Sequence, residues 1–157
     1  MLEFIIKYLF LGFFEGLLLT SVGLGLLGIK NRYKNHLKII PCYMIVMYLF
    51  DAVIDLKGLH PFVLLIILAI LIKFIVKIDW GFSFIASLIS FLILYISEVV
   101  FMLVVLSVFG LSIEQIQEPL TNFTFFYFLN RSVMAMISFI IYKFNINLID
   151  LSGGSSG

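Results

Sequence analysis

The amino-acid sequence predicts an all-α, polytopic integral membrane bundle of five transmembrane helices, with the amino terminus outside and the carboxyl terminus in the cytoplasm. Three observations predict it. Of 157 residues, 63% are hydrophobic and only 12% are charged, and the mean hydropathy is +1.22, well outside the averages of water-soluble domains. Windows of about 19 residues find apolar runs at 4–29, 39–56, 61–77, 81–109 and 124–144. The densest positive charge, Lys30 to Lys38, lies between the first two runs, and such clusters stay on the cytoplasmic side.

The first run is too long for the apolar core of a signal peptide and contains Glu15, so it reads as a span. Segment 30–38 is a basic inner loop, in which His36 is expected to be solvated. The second run carries Cys42, read as a small packing residue, and Asp51 in its outer part. Lys57-Gly58-Leu59-His60-Pro61 makes a tight outer turn before the third run. Asp79-Trp80-Gly81 makes an inner turn in which Asp79 can cap the fourth helix. That fourth run measures roughly 43 Å at 1.5 Å per residue against a hydrocarbon thickness of about 30 Å, so it must tilt, kink or project. Ser112-Ile113-Glu114-Gln115 fits a capping box, and a short surface helix is expected there. Residues 1–151 form the membrane domain, and 152–157, Ser-Gly-Gly-Ser-Ser-Gly, read as a flexible expression linker.

By alternation, Lys73, Lys77 and Lys143 fall at the inner face, with Trp80, Tyr33 and Tyr142 near that interface. A formal charge of +1 gives no reason to expect a nucleic-acid partner. A single cysteine forms no disulfide framework, and no metal-ligand spacing or nucleophile constellation is present, so neither metal, cofactor nor catalysis is expected.

Charge inside the apolar runs is where chemistry is to be sought, because a charge at the bilayer centre costs on the order of 2.5–3.5 kcal/mol. Glu15 and Glu98 lie at one depth, about 18 Å from the outer ends of their helices, and Arg131 enters from the outer end of the last span within reach of Glu98 or Asp51. With Asn130 supplying hydrogen bonds, these residues form either a structural network or a ligand site. Three acids against one base suit a cation, a peptide terminus or a proton. On the first helix Gly12, Gly16 and Gly23 share a face with Glu15 and read as a packing seam for a neighbouring helix. The phenylalanines of Phe123 to Phe128 face lipid or pack between helices.

A first span ending Gly23-Leu24-Gly25-Leu26-Leu27-Gly28-Ile29-Lys30, an intramembrane Glu98, and a last span running into Tyr142-Lys143-Phe144-Asn145-Ile146-Asn147 loosely resemble the membrane input domains of Firmicutes sensor histidine kinases of the accessory-gene-regulator and sporulation types. The resemblance implies a sensory domain in the bacterial cytoplasmic membrane, bound by lipid and feeding a homodimer or a cytoplasmic signalling domain. It implies a small-molecule or peptide ligand, and any kinase activity would belong to a cytoplasmic domain outside these residues. The competing expectation is a solute transporter, or its substrate-binding membrane subunit, using Glu15 and Glu98 at the midplane. Five spans without a visible inverted repeat count against it.

Overall fold

A computed structural model of the chain describes residues 10–29, 33–49, 60–110 and 120–148. The regular structure in these segments is helical throughout: α1 (Gly12–Leu26), α2 (Tyr33–Leu49), α3 (His60–Val76), α4 (Trp80–Phe109) and α5 (Leu120–Phe144). Asp51, Asp55, Lys57, the acidic segment Glu114 to Glu118 and the linker at 152–157 lie outside the described residues, as does the side chain of His60.

The helix ends follow from local chemistry. After α1, Gly28 adopts a left-handed φ of 76°, which lets the Ile29 N–H donate to Leu24 O at 2.9 Å and the Gly28 N–H to Gly25 O at 3.0 Å. These two bonds satisfy carbonyls that the helix leaves open. The end of α5 uses the same device with Asn145 at φ 54° and the Ile146 N–H donating to Ile141 O at 3.1 Å. Asp79 occupies the N-cap of α4 in an extended conformation, but its side chain makes no capping bond. Its carbonyl accepts from both the N–H and the Oγ of Ser83, the first bond of the helix.

Several boundaries differ from the expected ones. The basic segment is not a loop throughout, since helix α2 begins at Tyr33, six residues ahead of the apolar run that starts at 39. Lys34 and Lys38 therefore ride on its first turns. The helix α4 runs unbroken for 30 residues until Gly110. The helix α5 starts at Leu120, ahead of the run that begins at 124.

Helices α1, α2, α3 and α4 contact one another in a ring, which α1 closes by packing on α4, and α5 lies along the seam between α1 and α4. Side-chain pairs give the directions. Gly12 meets Met47 and Gly16 meets Tyr43, so α1 and α2 are antiparallel; Gly23 meets Ala86 and Ser90 of α4, while Gly25 meets Ile141 and Tyr142 of α5. One end of the bundle thus gathers the C-termini of α1, α3 and α5 with the N-termini of α2 and α4. Every lysine among the described residues, Lys34, Lys38, Lys73, Lys77 and Lys143, is at this end.

The core between the helices is made by Leu19, Val22, Leu24, Tyr43, Leu68, Ile72 and Met134. Large apolar side chains also cover the outside, among them Phe62, Phe74, Val108, Phe125 and Phe139. Two helical segments, Trp80–Val108 and Thr124–Phe144, are long and apolar enough to cross a membrane, and only 28% and 22% of their apolar windows are buried within the chain. A core helix of a water-soluble protein would bury most of its apolar surface.

Candidate functional site

The polar groups of the interior fall into two sets. Near the lysine end they are hydroxyls that stitch helices together through backbone carbonyls. Ser90 Oγ on α4 donates to Leu19 O at 2.9 Å and to Ala86 O at 2.8 Å, and Ser87 Oγ donates to Leu65 O on α3 at 2.6 Å. Gly23 sits directly against this contact: a Cβ there would come within 2.6 Å of Ser90 Oγ and 2.9 Å of Ala86 O. Small residues let two backbones approach this closely. The glycine seam therefore serves two neighbours, with Gly12 and Gly16 facing α2 and Gly23 facing α4.

His36 belongs to the same region and corrects an expectation. It is half-buried rather than solvated, and its Nδ1 lies 3.0 Å from Thr20 Oγ1. The Thr20 hydroxyl also lies 2.8 Å from Gly16 O, and the imidazole tautomer decides which partner of the His36–Thr20 bond is the donor. Burial lowers the pKa of this imidazole, ahead of the 39–56 run, below its ordinary value. Asn35 Nδ2, next to it, is buried without a hydrogen-bond partner among the described residues.

Toward the other end the interior is ionic. Arg131 on α5, 4% exposed, sends Nη2 to Glu15 Oε2 on α1 at 2.8 Å and Nη1 to Glu98 Oε1 on α4 at 2.7 Å. These are charge-assisted bonds at the short end of their range. Tyr43 OH on α2 donates to Glu15 Oε1 at 3.2 Å. Tyr127 OH lies 3.0 Å from Glu15 Oε2 and 3.1 Å from Leu11 O. The Tyr127 ring also lies under the guanidinium, with Arg131 Cζ 4.7 Å from its centroid, where a cation is attracted to the π face. Four of the five helices thus meet at one charge cluster.

The two carboxylates are held very differently. Glu15 is 12% exposed and both its oxygens are engaged, whereas Glu98 is 37% exposed and, among the described residues, only its Oε1 is bonded. Arg131 Nε is buried without a hydrogen-bond partner among the described residues. Most buried polar atoms are satisfied, so the network carries one unused donor inside and one unused acceptor at its edge.

The structure brings Glu15, Glu98 and Arg131 together. Asn130 is a correction: it is buried, but no hydrogen bond joins it to the three, and its Oδ1 has no partner among the described residues. Cys42 is another, since it is exposed rather than packed inside. The aromatic run divides, with Phe125 outside, Phe126 against Phe101, and Phe128 against Phe10 and Phe14. Sequence reasoning missed both tyrosines. Tyr127 was within reach, lying one helical turn before Arg131 and so on its face; nothing local marks Tyr43.

Among the described residues no group of three or more His, Cys, Asp or Glu is placed to hold a metal ion. No protein-family model, curated protein or solved structure matches the chain.

Proposed function

We propose that the chain is a sensory, signal-transducing input domain of the bacterial cytoplasmic membrane, crossing it five times with the amino terminus outside and the lysine end in the cytoplasm. One observation carries this reading. A guanidinium almost wholly withdrawn from the surface bridges carboxylates from two other helices, at a level where apolar side chains cover the outside. An ion triad in the interior is a poor way to gain stability, because desolvation offsets most of the Coulombic attraction. It is a good way to hold helices in a packing that a ligand can bias, provided the ligand binds the alternative packings with different affinity.

The gathering of the described lysines at one end supports the orientation, since basic residues are retained on the cytoplasmic side. The output would leave after α5, through residues 149–151 into a dimer partner or a signalling domain, with the ligand a small molecule or peptide entering from the opposite side.

A cytoplasmic dimerisation reporter fused after Leu148 tests this. At equal membrane levels, Glu98→Gln and Arg131→Lys are expected to change reporter output relative to the unsubstituted chain, and a phosphatase fused after Gly110 is expected to be active outside the cytoplasm. Identical output from all three chains, or an inactive phosphatase, overturns the reading.

A further inference from the structure

We propose that Glu98 is the exchangeable arm of the ion network: a primary ammonium group on an apolar body binds its carboxylate in place of Arg131 and so releases α4 from a unit made of α1 and α5. The proposal rests on reading the network as a sensing site, and it names the ligand class and the moving part.

The unequal satisfaction of the two carboxylates decides which one can exchange. Removing Arg131 from Glu15 would strip a carboxylate that is 12% exposed and already fixed by two tyrosines, leaving a buried charge without its counter-ion. Removing it from Glu98 breaks one bond of 2.7 Å to a carboxylate that is 37% exposed. After that loss the guanidinium keeps Glu15 Oε2 at 2.8 Å and the Tyr127 ring beneath it. No charge is stranded, so this exchange has the lower cost.

The open group also selects the ligand. Arg131 is covered and faces two carboxylates, so the charge an incoming molecule meets is the anionic Glu98, whose Oε2 has no hydrogen-bond partner among the described residues. One accessible carboxylate is too few oxygens for a calcium or magnesium ion, which take six or more ligands. An ammonium needs one carboxylate and brings three donors, matching the spare oxygen. The exposed neighbours of Glu98 along α4, Tyr95 and Val99, offer apolar or aromatic surface, so the rest of the molecule must tolerate it.

The packing shows what would move. Helices α1 and α5 are tied at two levels, by Glu15 to Arg131 and Tyr127 at one and by Leu148 N–H donating to Leu26 O at 2.8 Å at the other. Gly25 seated against Ile141 and Tyr142 adds close packing there. The helix α4 meets this pair tightly at Gly23 and Ser90, and Glu98 stands eight residues further along, about 12 Å by helical rise. Alongside, between α4 and α5, lies an apolar groove of about 450 Å³, open to the outside of the bundle and lined by groups including Ile93, Val104, Val133 and Ile137. Gly23 and Ser90 form the pivot, Glu98 the latch, and the groove is where a change in the spacing of α4 and α5 shows.

The test uses the full chain in nanodiscs of phosphatidylcholine, with Cys42→Ser and spin labels at Val104→Cys and Val133→Cys, one on each side of the groove. Saturable n-hexylammonium is expected to shift the distance distribution between the labels, and n-hexanol to leave it unchanged. Glu98→Gln is expected to weaken the ammonium effect about tenfold or more, as loss of a charged hydrogen bond does. A shift with both probes, with neither, or with full ammonium potency in Glu98→Gln overturns the proposal. If Glu98→Gln fails to insert, the two probes on the labelled chain with Glu98 intact decide alone. A shifting distance with a silent cytoplasmic reporter would sink the sensory reading and leave the latch standing; a static distance with a responsive reporter would do the reverse.

Discussion

The two halves of the bundle are held by different physics. Toward the lysine end, α1 meets α4 through glycine and serine, backbone against backbone, with Ser90 donating across the seam and a Schellman turn closing α1. Toward the other end, α1, α4 and α5 meet through Glu15, Glu98 and Arg131, with long side chains spanning the gap. Close packing has one good geometry, because overlap is penalised steeply and gaps forfeit contact. An ion pair can exchange its partner for another of the same charge. The comparison teaches that one half is fixed by the fit of its surfaces and the other by the pairing of its charges.

The largest expected effect tests the ionic half. Arg131→Ala leaves two carboxylates without their shared cation, and breaking a buried pair in this way costs about 3–5 kcal/mol. Thermal melting in detergent micelles should show the full loss. A melting temperature within a few degrees of the unsubstituted chain would mean that the triad holds nothing together.

Next comes the packed half. Gly23→Ala places a methyl 2.9 Å from Ala86 O, a backbone atom that cannot rotate away, so a destabilisation of about 1–3 kcal/mol is expected, as for other overpacked sites. Gly81→Ala is the matched control, since a Cβ there meets nothing within 4 Å among the described residues, and it should not lower the melting temperature. Equal effects from the two glycines would remove the contrast between the halves.

The smallest effect is a pH dependence at His36. Its pKa in the folded chain lies below the ordinary 6.5, so the unfolded chain takes up a proton first as the pH falls. The stabilisation from keeping His36 neutral is therefore complete above the ordinary histidine pKa and declines as the pH falls through it and below. Melting followed from pH 8 to pH 5 should show this decline, and His36→Gln should flatten it.

Much of the fold was legible because hydropathy and helical periodicity are local properties. The third and fourth apolar runs, at 61–77 and 81–109, match α3 and α4 to within a residue. The boundary of α2 was not, because Lys34 to Lys38 look like a polar loop in composition, yet Ile39 and Ile40 are buried and the helix that carries them begins at Tyr33. Likewise His36 was read from its charged neighbours in sequence, while its burial is set by Thr20 on another helix. Of the site, the common depth of Glu15 and Glu98 and the reach of Arg131 could be counted along helices. That Tyr43 completes Glu15, and that Asn130 makes no bond to the triad, could not.

The sequence by itself determined that the chain would be helical, dominated by apolar runs and sparingly charged within them, because each depends on residues close together along one segment. Only the tertiary structure decided that Glu15 is enclosed and Glu98 left half open, and that Gly23 rather than Gly12 or Gly16 meets α4. The physical reason is that satisfaction of a charge and closeness of a backbone are properties of the neighbour, and which helix becomes the neighbour is settled by packing the whole bundle.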